Sequence, residues 1–244
     1  MKNVEKLIKM IEESNSIVAF TGAGVSTDSG LKDFRSKDGL YNEDNEYPAE
    51  YLLSSECFYR HPNIFYEYYK KNFNCLKYEP NDTHKLLKVL EDKKKLKAII
   101  TQNIDGLHTK AGSNIVYEVH GTIYKNHCIE CHKEYEANYI FEAKDIPKCA
   151  CKGIIKPNVV LYGESLPEDA FTNGIKAISQ ADMLIVMGSS LTVYPASSML
   201  NHFKGKYLVI INRDKTPFDY KADLIINDNL AIISNKIINI LEGE

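Results

Sequence analysis

Four of the six cysteines in this 244-residue chain stand in two close pairs. Cys128 and Cys131 form C-x-x-C, Cys149 and Cys151 form C-x-C, and seventeen residues separate Cys131 from Cys149. Four thiolates so spaced satisfy tetrahedral zinc and leave no open coordination position, which predicts a structural metal. His127 and His132 adjoin the first pair and are the alternative ligands. A second chemistry is written near the N-terminus, where the apolar run 17–20 feeds into Thr21-Gly22-Ala23-Gly24-Val25-Ser26-Thr27. Small residues at the end of a strand let backbone N–H groups approach a pyrophosphate, and a helix N-terminus is expected to follow. Gly22 and Gly24 match the start of a dinucleotide fingerprint. Thr27 stands where its third small residue would be, so an ordinary tight turn is the competing reading.

Such residues need strands to hold them. Short apolar runs at 17–20, 98–101, 115–119, 183–187, 207–211 and 224–226 mostly lack alternation with polar residues, the mark of strands buried on both faces of a parallel sheet. Helical patterns fall between them: Val4, Leu7, Ile8 and Ile11 on one face of an opening helix, 84–96 after a Thr83 cap, 168–180 after Pro167, then 195–203 and 231–241. The alternation predicts an α/β fold with a doubly wound parallel sheet. Gln102, Asn103, Asp105 and His120 follow strands and should converge with the glycine loop at the strands' carboxyl ends. Two stretches break the rhythm. One, 37–80, carries Phe58, Tyr59, Phe65, Tyr66, Tyr68 and Tyr69 at spacings that suit a core-facing helix. The other, 122–156, holds the four paired cysteines. The expected division is 1–36, 81–121 and 157–244 as a nucleotide-binding domain, with the two insertions as a smaller module.

The order of these features resembles that of the sirtuins, the NAD-dependent protein deacylases. Their usual pattern is a GAGxS loop, a DFR segment, a QNxD segment and an HG pair. Here Gly22-Ala23-Gly24-Val25-Ser26, Asp33-Phe34-Arg35, Gln102-Asn103-Ile104-Asp105 and His120-Gly121 follow in that order. The likeness continues through the cysteines, the stretch from Lys156 to Glu164, Gly188-Ser189-Ser190-Leu191 and Val193-Tyr194-Pro195-Ala196, so it covers nearly the whole chain. It implies a Rossmann-like domain with a zinc-ribbon and helical insertion, and an NAD-dependent protein-lysine deacetylase. In such enzymes the acyl oxygen of acetylated lysine attacks the ribose C1′ and nicotinamide leaves. The products are free lysine, nicotinamide and 2′-O-acyl-ADP-ribose.

The resemblance also implies roles. His120 matches the base that relays a proton from the ribose hydroxyls, work suited to a near-neutral pKa, and Asn103 matches the residue that orders ribose and water. Asp105 and Ile104 match the residues holding the carboxamide, Arg35 a phosphate contact, and Phe34 a cover over the ribose. Gly22, Ala23, Gly24, Ser26, Thr27, Asp33, Gln102, Gly188, Ser189, Ser190, Asn212, Asn229 and Leu230 complete the implied cofactor site. Val160, Leu161, Tyr162, Gly163 and Glu164 on one side, and Val193 and Tyr194 on the other, match the segments between which a peptide adds as a strand. Lys32 stands where sirtuins usually carry proline, which removes a restraint from the loop. Tyr162 replaces a frequent phenylalanine and Ser189 a frequent threonine. Members that prefer succinyl- or malonyl-lysine resemble one another in a Tyr-x-x-Arg motif. Here Tyr66 is followed by Tyr69, with Lys70 about 100° further round an ideal helix, so neutral acyl groups are expected.

Composition limits the partners. Formal net charge is −3, and the main basic run, Lys93-Lys94-Lys95 with Lys97, has the pattern of a solvated helix end, so no direct nucleic-acid partner is expected. No apolar run approaches the roughly 20 residues of a membrane span. The first residues lead into an amphipathic pattern rather than a secretory leader. The expectation is a soluble, cytoplasmic monomer that acts on acetylated lysine, with Cys57 and Cys75 as reduced thiols. Two readings compete: a protein ADP-ribosyltransferase, in which a protein side chain takes the ribose, and a non-enzymatic NAD-responsive binding module. The full set of Asn103, Asp105 and His120 favours deacylation.

Overall fold

A computed structural model describes residues 2–243. Its strands are β1 (Ile17–Thr21), β2 (Leu96–Thr101), β3 (Val116–Glu118), β4 (Gly121–Cys128), β5 (Glu134–Tyr135), β6 (Ile155–Val159), β7 (Met183–Met187), β8 (Tyr207–Ile211) and β9 (Leu224–Ile226). Its α-helices are α1 (Lys2–Glu13), α2 (Ala49–Leu52), α3 (Ser55–Arg60), α4 (Pro62–Phe73), α5 (Asp82–Asp92), α6 (Leu107–Lys110), α7 (Ala137–Phe141), α8 (Glu168–Gln180) and α9 (Leu230–Glu242). Among the described residues no helix is long and apolar enough to cross a membrane.

Six strands form one parallel sheet in the order β3-β2-β1-β7-β8-β9. The chain winds outward from β1 to β3 and then restarts on the other side of β1 with β7. That reversal leaves a crevice beyond the carboxyl ends of β1 and β7, where doubly wound sheets bind ligands. Alternate residues of each strand feed two cores. Ile17 and Ala19 pack with Leu7 and Ile11 of α1, Leu87 and Leu90 of α5, and Ile233 and Ile237 of α9. Val18 and Phe20 face the other way, onto Ile178 of α8 and Met199 and Leu200 of a 3₁₀ segment, Ala196–His202. Apolar residues on both strand faces explain why the runs lack polar alternation.

A second, antiparallel sheet has the order β5-β4-β6. It packs with α3 and α4 in a third apolar cluster that includes Phe58, Phe65, Tyr66, Tyr69, Ile123 and Ile155. The aromatic stripe of 37–80 is therefore core, except for Tyr59, which points to solvent and is 61% exposed. Tyr69 stacks on Phe65 at 5.5 Å and on Phe73 and Phe141 at 5.6 Å.

The structure corrects several local expectations. The helix expected at 84–96 is α5, Asp82–Asp92, and Asn81 rather than Thr83 caps it: its side chain accepts from the Thr83 N–H while His84 Nδ1 accepts from the Asn81 N–H. The helix stops because Lys94 turns left-handed at φ 63°, which frees Leu96 to enter the sheet opposite Ile17. The lysine run is thus a helix-to-strand turn, and Lys95 Nζ donates to the Glu12 and Ser14 carbonyls. The segment expected as a helix at 195–203 is the 3₁₀ segment, and two short 3₁₀ turns, Ala23–Val25 and Thr27–Ser29, replace the helix N-terminus expected after the glycine loop.

Candidate active site

Two backbone corners meet over the crevice. A Cβ on Gly22 would lie 2.8 Å from the Gly188 carbonyl oxygen, and one on Gly24 would lie 2.9 Å from Gly188 Cα. Gly188 itself is left-handed at φ 61°, with its own Cβ position 2.5 Å from the Val25 nitrogen. The loop after β1 and the loop after β7 therefore touch backbone to backbone, and glycine is required at this contact whatever the cavity holds. Gly22 N–H donates to the Met187 carbonyl and Gly24 N–H to that of Gly188, so these amides fasten one corner to the other.

A cavity of about 630 Å³ opens along this crevice. Of the residues expected to bind cofactor or peptide, all but Gly22 line it; Gly22 lies behind, in the corner contact. Asn103 and Asp105 are buried in its wall. Ser26 Oγ donates to Asp105 Oδ2 at 2.7 Å, Asn103 Nδ2 donates to Ser26 Oγ at 3.1 Å, and Leu107 N–H donates to Asp105 Oδ1 at 2.9 Å. Burial raises the Asp105 pKa, and the Leu107, Ser26 and Asn103 donors pull against it. Asp105 thus caps the local turn as well as facing the cavity, while the Asn103 side chain bonds to Ser26.

His120 is set by its neighbours on both sides. Gly121 is left-handed at φ 75°, and a Cβ there would lie 1.9 Å from the Asn158 carbonyl oxygen, so only glycine lets β4 start this close to β6. The His120 ring contacts the Gln102 carbonyl through Nδ1 at 3.0 Å. A carbonyl can only accept, so Nδ1 carries the proton and the neutral ring has its lone pair on Nε2. Burial lowers the ring's pKa, partly offset by the Gln102 bond. Gln102 Oε1 accepts from Ser189 Oγ at 3.0 Å, while its Nε2 is buried without a partner.

The Asp33-Phe34-Arg35 turn is closed by Asp33 Oδ1, which accepts from the Arg35 and Ser36 N–H groups. Phe34 packs against Tyr41 and Phe73. The Lys32 ammonium lies 2.6 Å from Glu43, which also faces Lys71 at 3.7 Å. Asn229 caps α9 by accepting from Ile232 N–H, and its Nδ2 donates to Asp28.

Several residues behind the cavity lining have no role assigned from the sequence. Lys156 is only 8% exposed and donates to the Pro157 and Val159 carbonyls at 3.3 Å and to Glu164 Oε2 at 3.1 Å. Glu164 Oε2 also accepts from the Leu161 N–H, so this ion pair shapes the 160–164 segment. Its signal was a lysine inside an apolar run, eight residues before a glutamate. Asn81 Nδ2 holds the glycine loop through the Val25 carbonyl and Ser29 Oγ. His84 and His108 lie ring to ring at 4.8 Å, and His108 Nε2 meets Thr21 Oγ1 at 3.0 Å.

The four cysteines form a separate cluster outside the cavity lining. Their sulfur atoms all lie within 4.8 Å of one another, with Cys128 and Cys151 at 3.4 Å and Cys131 and Cys149 at 3.5 Å. These separations are too long for disulfides and fit four thiolates around one zinc. His127 Nδ1 is hydrogen-bonded to Asn158 Oδ1, and neither His127 nor His132 belongs to the cluster. Cys57 and Cys75 are free and buried.

Comparison with known proteins accords with this geometry. The model of the Sir2 family matches residues 22–195. The NAD-dependent protein deacetylase of Clostridium perfringens is 48% identical over 240 residues, covering 97% of this chain and 98% of the relative. That of Clostridium acetobutylicum is 46% identical over 242 residues, covering 98% and 99%. Among solved structures, Sir2 with a deacetylated p53 peptide and 3′-O-acetyl-ADP-ribose is 38% identical with a TM-score of 0.90, covering 97% of this chain and 98% of that one. Sir2 with p53 peptide and NAD+ is 38% identical with a TM-score of 0.87 and covers 99% of each chain. Likeness in sequence and fold over nearly the full length makes this chain a member of the Sir2 family.

Proposed function

We propose that this chain is an NAD-dependent protein-lysine deacetylase and that the residues expected from its sequence divide the work. The observation that carries the reading is the meeting of His120, both glycine corners and the 160–164 segment in one cavity. NAD fits the donor set found there, above all the buried, unpartnered Nε2 of Gln102. Bound NAD supplies the ADP-ribose group that takes the acyl group as nicotinamide departs. His120, held through Nδ1 by the Gln102 carbonyl, accepts a ribose proton at Nε2. Burial disfavours its charged form, so the ring is neutral and competent as a base at pH 7. Asp105 and Asn103 are locked through Ser26, which fixes their orientation toward nicotinamide and ribose. Phe34, backed by Tyr41 and Phe73, excludes water from the ribose face.

One side of the peptide groove is tied down by its own backbone bonds. Val160 N–H donates to the His120 carbonyl, Leu161 N–H to Glu164 and Tyr162 N–H to the Leu53 carbonyl. A pre-ordered edge lowers the entropic cost of docking an extended peptide. The groove favours neutral acyl groups: Tyr69 lines the cavity, and Lys70 Nζ is taken up by the Ala143 and Asp145 carbonyls, 2.6 Å from each. The same proposal includes the division at 37–80 and 122–156, a structural zinc on Cys128, Cys131, Cys149 and Cys151, and a cytoplasmic setting like that expected of the bacterial relatives. Protein ADP-ribosylation finds no support, since the matched relatives are named deacetylases and one matched Sir2 structure holds an acetyl-ADP-ribose.

The test is incubation with acetylated peptide and NAD, followed by mass spectrometry. Formation of 2′-O-acetyl-ADP-ribose with loss of the peptide's acetyl group is expected. ADP-ribosylated peptide without acetyl-ADP-ribose would replace this reading by the transferase one.

A further inference from the structure

Two histidines behind the glycine loop take no part in the chemistry above, and each has one ring nitrogen with a partner and one without. His84 and His108 are 0% and 2% exposed, with ring centroids 4.8 Å apart and planes tilted by 55°. Burial holds both pKa values down, so both rings are neutral at pH 7. His84 Nδ1 accepts from the Asn81 N–H at 3.2 Å, which puts the His84 proton on Nε2. His108 Nε2 lies 3.0 Å from Thr21 Oγ1, a contact that can run in either direction. The nitrogens left over are His84 Nε2 and His108 Nδ1, both buried. Were Thr21 the donor, the His108 proton would sit on Nδ1, and two buried N–H groups would go unpaired. With His108 as the donor, its Nδ1 is free to accept from His84 Nε2–H, and only the Thr21 hydroxyl proton remains to be placed.

We infer that Asn81, His84, His108 and Thr21 form one directed hydrogen-bond relay that positions the glycine loop against the Asp105 turn for the cofactor. The Asn81 N–H donates to His84, His84 Nε2–H to His108 Nδ1, and His108 Nε2–H to Thr21 Oγ1. Each end is fastened to a segment of the proposed NAD site. Asn81 Nδ2 donates to the Val25 carbonyl and to Ser29 Oγ, on the far side of the glycine loop. Thr21 opens that loop, and its carbonyl accepts from the Gln102 N–H. His108 follows Leu107, whose N–H donates to Asp105 Oδ1. None of the four lines the cavity, so they are positioning residues. The inference rests on the proposed function in taking NAD as the ligand.

The test pairs NMR with calorimetry on the full chain. With isotope-labelled histidine at pH 7, the nitrogen shifts of both rings should show a protonated Nε2 and a bare Nδ1. A proton on His108 Nδ1, or a charged ring, would overturn the relay. Thr21→Val keeps the shape of the side chain and removes the acceptor, whereas Thr21→Ser keeps the hydroxyl and trims a methyl. NAD titrated without peptide should bind about two- to tenfold more weakly to Thr21→Val, the span of one neutral hydrogen bond, and within about twofold of wild type to Thr21→Ser. Affinity for acetylated peptide should hold in both. Thr21→Val should also move the His84 nitrogen signals, although the two side chains share no bond. A role confined to packing would reverse the two variants, since serine leaves the void. Wild-type NAD affinity in Thr21→Val, an equal loss in both variants, or unmoved His84 signals would each refute the inference. A wild-type chain that binds NAD yet forms no acetyl-ADP-ribose would sink the deacetylase reading alone, and one that binds no NAD would sink both.

Discussion

Replacing Lys156 by methionine should destabilise the chain and loosen the peptide groove. The Lys156 and Glu164 side chains are 10% and 25% exposed, so the ion pair is mostly out of water. Removing one partner of a fully buried pair costs about 3–5 kcal/mol, because the other charge is left uncompensated. Glu164 retains some solvent and the Leu161 N–H, which brings the expected loss to about 2–3 kcal/mol. For a chain of this size that corresponds to a drop of roughly 4–12 °C in melting midpoint. Urea unfolding measures the loss, and initial-rate kinetics should show a several-fold higher KM for peptide with less change in KM for NAD. Lys156→Met with Glu164→Gln should recover part of the stability, since no lone charge then remains. A Lys156→Met chain within about 0.5 kcal/mol of wild type, the range of an ordinary surface change, and with normal peptide KM would refute the reasoning.

His120→Ala should fold and bind NAD but lose at least about 10²-fold in deacylation rate; near-normal turnover would remove this ring from the chemistry. Purified protein should contain one zinc, and Cys128→Ala should lower stability, because structural zinc contributes directly to folding; active protein without zinc in elemental analysis would contradict this. Acetyl-lysine peptide should give a higher kcat/KM than the matched succinyl peptide, since the wall at Tyr69 offers no cation for a buried carboxylate; the reverse order would show that α4 is misread. Stability should fall as pH drops from about 6.5 toward 4. Burial holds His84 down at about 4 and His108 well below its ordinary value, so the unfolded chain takes up these protons first. By pH 5 His84 alone should cost roughly 2 kcal/mol. Urea midpoints that do not change between pH 7 and 5 would mean that the rings are not neutral in the native state.

The parts of this molecule that were legible in its sequence are those set by local pattern. Met183–Met187 and Tyr207–Ile211 appear where unbroken apolar runs predict strands, because a strand buried on both faces leaves no room for polar residues. The end of α5 was not legible, since nothing local announces that Lys94 adopts a left-handed turn. Gly22 and Gly24 read as glycines shaped for a ligand, while the structure adds a demand from Gly188, more than 160 residues away. Long-range pairs were hidden for the same reason. His108 meets Thr21 across 87 positions and Tyr41 meets Tyr162 across 121, and a single chain carries no mark of such pairings.

The third apolar cluster has a consequence for synthesis. Its two halves come from α3 and α4 on one side and from the sheet of β4, β5 and β6 on the other. The Tyr66 hydroxyl ends on the Ile155 carbonyl, 89 residues later in the chain. At about 5–20 residues per second on the ribosome, that partner emerges roughly 4–18 s after Tyr66. During this interval Phe58, Phe65, Tyr66 and Tyr69, all buried in the finished protein, can pack on one another but lack the surface that β4, β5 and β6 supply. The nascent chain therefore carries a half-covered aromatic cluster until the cysteine-bearing insertion arrives.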